Sequence, residues 1–248
     1  MGHVRRRRGR TGGVSVSPRT NEYGQPIGEA LADWSPRPLP NADRIAGRTC
    51  TLERLDPARH AESLVAAHAE APDGRDWTYL PVGPFASAAD RRAWLETAAA
   101  SEDPRHYAVL DATGEAVGAL ALMRHDPANG AIEVGHVTFS PRMQRTVAST
   151  EAQFLLMRYV FDELGYRRYE WKCDTLNAPS MKAAARLGFT YEGTFRQAVV
   201  YKGRSRDTAW FSITDSEWPD RRAEFERWLD PANFDGDGVQ RTRLAHGM

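Results

Sequence analysis

The chain has 248 residues, 41% of them hydrophobic and 27% charged, the proportions of a globular protein. Its 33 Lys and Arg match its 33 Asp and Glu, so no global field favours nucleic acid or an anionic membrane. Two cysteines, Cys50 and Cys173, make neither a disulfide framework nor a zinc site. No apolar run is long enough to span a membrane or to follow the basic start as a secretory signal would, so a cytoplasmic protein in a reducing compartment is expected.

Residues 1–20 carry six arginines (Arg5, Arg6, Arg7, Arg8, Arg10, Arg19) and no acid, which predicts a solvated, disordered arm. Residues 21–47 hold Trp34 among Pro26, Pro36, Pro38 and Pro40; no regular helix fits, and an extended segment docking through Trp34 and Leu39 is expected. An α/β pattern begins near Arg48. Thr49 to Leu55 alternates as a strand, and Asp56-Pro57 opens a helix bearing Leu64, Val65 and His68 on one face. Residues 72–86, rich in Gly, Pro and aromatics, predict a loop. Ser87 caps a helix over 88–100 with Trp94 and Leu95 inward. Strands follow at 107–110 and 115–123 around Thr113-Gly114, and again at 131–139. A polar loop, 142–148, precedes a helix from Ser149 or Thr150 to about Leu164. Tyr169 to Cys173 is a strand, and Asn177 opens a helix stopped by Gly188. A hairpin over 191–201 and 208–213, a helix over 218–229 and a loose tail, 230–248, complete the chain.

The chemistry concentrates between Glu133 and Phe189, where strand, polar loop and helix succeed one another. A loop entering a helix N-terminus offers free backbone N–H groups and the positive end of the dipole, which suits a pyrophosphate without a metal. The small residues Ala148, Ser149 and Thr150 allow close approach.

These residues resemble the GNAT superfamily of acetyltransferases, and its RimJ/RimL-like branch. Gln144-Arg145-Thr146-Val147-Ala148-Ser149 occupies the register of the family's acyl-CoA loop and continues as Thr150-Glu151-Ala152. Asn177, Ser180 and Leu187-Gly188-Phe189 match its Asn-x-x-Ser…Leu-Gly-Phe, followed by Glu192-Gly193, Phe195-Arg196 and Asp207…Phe211-Ser212…Glu217-Trp218. The resemblance covers roughly 48–218. It implies a mixed, mostly antiparallel α/β sheet with helices on both faces. It also implies acetyl-CoA as co-substrate, no metal, and transfer of acetyl to an amine. The departures are Val147 and Ser149 in place of two loop glycines, and Ala184 where many members carry an acidic Tyr.

By the same resemblance, the strand before the loop splays from its neighbour and the pantetheine pairs with backbone at Val137 and Phe139. Gln144 to Thr150, Asn177 and Ser180 complete the cofactor site. Glu133 and His136 are the candidate bases; three apart on a strand, they are expected on opposite faces. Ser180 or a water would act as acid. Trp77 and Tyr79 would wall the acceptor, a protein N-terminus or a small amine. Trp171, Trp210 and Cys173 read as core. Two alternatives stand beside this reading: a non-catalytic acyl-CoA-binding module, and an RNA or ribosome contact through the arm. The chain would act as a monomer or homodimer, away from membranes.

Overall fold

The computed structural model describes residues 19–245, and all but Arg19 and Thr20 of the basic arm falls outside them. Residues 19–35 form a unit of their own. In it, β1 (Arg19–Thr20) and β2 (Pro26–Ile27) pair around a turn held by the Asn21 side chain, which accepts from the amides of Tyr23 and Gln25.

The second unit begins at Pro36 and is built on one eight-stranded sheet. Its strands are β3 (Arg44–Ala46), β4 (Thr51–Arg54), β5 (Arg105–Leu110), β6 (Ala116–Asp126), β7 (Ala131–Phe139), β8 (Arg168–Asp174), β9 (Thr190–Tyr201) and β10 (Arg204–Thr214). They lie in the order β3-β4-β5-β6-β7-β8-β10-β9. All pairs are antiparallel except β7 with β8, which is parallel.

Alternation sorts the side chains between two cores. On one face Leu52, Tyr107, Val109, Leu120, Leu122, Ile132, Val134, Tyr169 and Trp171 meet α3 (Val147–Arg158), α4 (Ala178–Arg186) and α5 (Trp218–Leu229). On the other, Leu55, Ala108, Leu110 and Ala116 meet α1 (Pro57–Ala69) and α2 (Ala88–Ala100). Helices thus cover both faces of a mostly antiparallel sheet.

Four details differ from the sequence pattern. The sheet starts upstream of Arg48, because Arg44–Ala46 pairs with β4. Leu39 is exposed; this stretch is held instead by the Tyr159 hydroxyl, which accepts from the amides of Asn41 and Ala42. The hairpin turn needs only Lys202 and Gly203, both at positive φ, so β10 begins at Arg204. The tail is fastened as far as it is described: Trp228 donates to Gln240, Asn233 bonds both Trp228 and Thr242, and Leu244 is buried.

Glu151 ties the long helix to the sheet. Its buried carboxylate accepts from the amides of Arg48 (2.8 Å) and Thr49 (2.6 Å) and from the Thr49 hydroxyl, pinning the entry to β4. Bonds to an ionised acceptor are each worth about 1.5–3 kcal/mol. Glu151→Ala is therefore expected to cost about 3 kcal/mol, lowering Tm by about 10 °C in a chain of this size. Glu151→Gln, which keeps one acceptor, should recover part of that loss in a calorimetric scan.

Candidate active site

β7 carries the feature on which the site turns. Ala121 pairs with Gly135 and Ala119 with Thr138, so Leu120 alone faces both His136 and Val137. This is a β-bulge, and His136 sits at its kink with φ of 49°. On the other edge, β7 pairs with β8 only from Ala131↔Arg168 to Val134↔Trp171. Beyond the bulge the two parallel strands part, leaving a gap lined by the backbone of 135–139.

The bulge also corrects the expected placement of the two candidate bases. Glu133 alternates with Ile132 and Val134, which enter the α3 core, so it faces the α1/α2 side. The ring of His136 lies 5.0 Å from that of His106, which in turn meets Trp94 of α2. Strict alternation would separate residues three apart; the extra residue brings both to the same face.

Their environments differ. Glu133 is buried against Lys172 Nζ (2.9 Å) and Arg124 Nε (3.5 Å), and Lys172 also meets Glu170 (2.7 Å) and lies over the Trp210 ring. Burial nonetheless pushes the Glu133 carboxyl above its usual range. His136 makes no such pair: its Nδ1 is shielded from solvent and without a partner, and burial pulls its pKa down. The same holds for His106, at about 3 through burial and the neighbouring His136. Both rings are neutral at pH 7.

Loop and helix meet across the gap from α4. Thr146, not Ser149 or Thr150, is the N-cap of α3: its hydroxyl accepts from the Ser149 amide (3.2 Å). Val147 and Ala148 therefore belong to the first helical turn, where amides lack intrahelical acceptors. The left-handed residue of the loop is Arg145, at φ 62°, so neither Val147 nor Ser149 occupies a position that requires glycine. Gln144 folds back, donating from Nε2 to the Phe139 carbonyl (2.9 Å) and to Asp76 (3.1 Å). That bond uses one lone pair of the Phe139 carbonyl. Thr150 is buried, with its hydroxyl accepting from Arg186; its role is to join α3 to α4 rather than to face the loop. At α4, Asn177 caps the Ser180 amide, and Ser180 Oγ accepts from Trp171 Nε1 (3.0 Å). Ala184 is wholly buried under the helix.

The loop 72–86 arches over the open end of the gap. Besides Gln144–Asp76, the Tyr79 hydroxyl donates to the Leu176 carbonyl (3.0 Å), Lys202 Nζ to those of Trp77 and Val82, and Arg204 to that of Thr78. Tyr79 is half-buried beside the β8–α4 junction. Trp77 is not: it is 8% exposed, packed on His68, Phe85 and Arg91, and it stiffens the loop from within. Trp171 is core, but Trp210 is half-buried on the α1/α2 face against Phe195.

The acetyltransferase (GNAT) domain family matches residues 50–190. The chain belongs to the GNAT acetyltransferase family. A crystal structure of a GCN5-related N-acetyltransferase from Brucella melitensis is 49% identical, with a TM-score of 0.84 over 86% of this chain and 97% of that one. An acetyltransferase of the GNAT family from Chromobacterium violaceum is 42% identical, with a TM-score of 0.73 over 79% of this chain and 98% of that one. The uncharacterized N-acetyltransferase YokL of Bacillus subtilis is 28% identical over 132 residues, 53% of this chain and 73% of that protein.

Within this GNAT domain the sequence did not point to His106, Lys172 or the hairpin tip. A single Lys between Trp171 and Cys173, in a strand buried on its other face, was the available signal for an internal ion pair.

Acid stability tests the buried imidazoles. Unfolded, His68 and His106 bind protons near 6.5; folded, burial defers this to about 4 and about 3. Both folded values lie below the unfolded one, so stability is full above 6.5 and is lost as pH falls. Each ring accounts for about 2 kcal/mol of loss at pH 5. Urea midpoints at pH 7 and pH 5 should differ less in His106→Asn than in the native chain.

Proposed function

We propose that the protein acetylates a primary amine, with acetyl-CoA bound across the gap between β7 and β8 and His136 as general base. The donors of the α3 N-terminus, Arg145 to Ala148, would receive the pyrophosphate. The backbone at Val137 and the Asn177–Ser180 turn would flank the pantetheine. The acceptor would enter from the α1/α2 face, under the loop that holds Tyr79. Its neutral nitrogen attacks the thioester carbonyl, the C–S bond breaks, and the amine proton passes to His136. The thiolate leaves toward Ser180 or water and takes up a proton there.

One observation favours His136 over Glu133. The carboxylate of Glu133 is ion-paired with two cations, whereas His136 has no ion pair among the described residues and its ring is neutral at pH 7. Glu133 then acts through Lys172 on the electrostatics of the face rather than on the amine itself. The order of motifs along the chain supports the RimJ/RimL-like branch, and a protein N-terminus is the acceptor class that fits it.

Thiol release over a panel of amines and N-terminal peptides tests this. His136→Ala should lower kcat by about 10²–10⁴-fold, the usual contribution of a positioned base. Because burial lowers the His136 pKa, native kcat/KM, once divided by the neutral fraction of the acceptor amine at each pH, should stay flat through neutrality and fall only below pH 6.5 as the ring protonates. A larger kcat loss in Glu133→Gln than in His136→Ala would reverse the assignment. Acetyl-CoA binding without release for any acceptor would favour a non-catalytic module.

A further inference from the structure

One row of side chains on the acceptor face is built but unused. β10 pairs with β8 in unbroken register over 208–214, so Thr208 and Trp210 project opposite Ala209 and Phe211, which enter the α3/α4 core, and Arg206, two residues before Thr208, continues the row. They therefore share the face of Lys172 and Glu133. Thr208 is 4% exposed, and its hydroxyl has no partner. Arg206 Nε and Trp210 Nε1 are likewise shielded and unpartnered. A buried donor without an acceptor is costly and rare; three along one strand mark the place of a missing acceptor.

The nearby acids are spoken for. Asp174 accepts from the Tyr201 hydroxyl (2.8 Å) and the Leu176 amide (2.9 Å). Glu133 and Glu170 are held by Lys172, and Asp207 accepts from the Gln197 amide. Among the described residues Arg206 has no ion pair. Arg206 and Trp210 are half-buried, so the row reaches the surface at both ends while Thr208 between them is covered. Opposite Asp207 the edge strand β9 bulges over 196–198, and Phe195 to Ala198 line a depression that borders Trp210 through the Phe195 ring, 4.6 Å away.

We infer that Arg206, with the Thr208 hydroxyl and the Trp210 indole N–H, anchors a carboxylate carried by the amine acceptor. This rests on the transfer reading above. A guanidinium flanked by two neutral donors suits a planar monoanion, whereas a phosphate would call for further cations. β10 stands two strands from β7, and Arg206 lies further along the sheet than His136. The amine and the carboxylate are thus separated by on the order of 10–15 Å, the length of three or four extended residues. The carboxylate is either a peptide C-terminus or an acidic side chain near an amino terminus.

Three tetrapeptides separate these sources: tetra-alanine as free acid, its C-terminal amide, and a tetrapeptide amide ending in Glu. With native protein, kcat/KM for the free acid or the Glu peptide should exceed that for the plain amide by about 10-fold or more, through KM. Arg206→Gln should erase the difference with kcat nearly unchanged, and Arg206→Lys should restore part of it. Since Arg206 has no ion pair, the melting temperature of the variant should match the native one. Equal kcat/KM for the acid and the plain amide would overturn the inference, as would discrimination that survives Arg206→Gln. Calorimetry with the N-acetylated free acid and amide reads the anchor without turnover. Acid-selective binding lost in Arg206→Gln, with no thiol released from any peptide, would sink the transfer reading and leave the anchor standing. No selective binding would remove the anchor whatever the turnover.

Discussion

The site depends on one irregularity, the extra residue in β7. A parallel strand pair is closed by evenly spaced hydrogen bonds along its whole length unless something ends the ladder. Here the bulge at His136 and Val137 bends β7, and pairing with β8 stops at Val134↔Trp171. The gap between parallel neighbours, the aim of α3 and α4 at its two sides, and the shared face of Glu133 and His136 all follow from it. Without the bulge, His136 would enter the α3 core with Val134.

Electrostatics on the α1/α2 face are arranged by pairing. Arg124, Lys172 and Arg168 answer Glu133, Glu170 and Glu192 in a continuous chain whose central groups are buried. Such a network ties β6, β7, β8 and β9 together, and removal of a central partner, Glu133, Lys172 or Glu170, leaves an uncompensated charge in a dry setting. The uncharged imidazoles of His106 and His136, and Arg206, which has no ion pair among the described residues, stand outside this network. The loop 72–86 covers this face, tied at its crossing points to the α3 loop, the β8–α4 junction and the hairpin tip.

Much of this was readable from the chain. The helices beginning at Asp56, Ser87, Asn177 and Glu217 carry local signals, a side-chain cap or an early proline, and local signals fix local structure. The family motifs gave the order of strand, loop and helix. Three-dimensional consequences were harder to read. Alternation assumes a regular strand, so it misplaced His136 relative to Glu133; a bulge created by a non-glycine residue at positive φ has no sequence mark. The loop aromatics looked alike, yet Trp77 is buried by Phe85 and His68 while Tyr79 reaches Leu176, a difference set by partners distant in sequence. Val147 and Ser149 stand in the sequence as departures from the family's loop glycines; the turn draws its positive φ from Arg145 instead.

Hydrogen exchange at the amides of residues 135–139, with and without acetyl-CoA, tests the central claim most directly. These amides border a gap that β8 does not close, and a bound pantetheine would take the place of the missing strand. Binding should slow exchange there and at Val147 and Ala148, with little change in β4 or β5. Acetyl-CoA binding that leaves 135–139 unprotected would contradict the account, because the co-substrate would then lie outside the gap that the bulge creates.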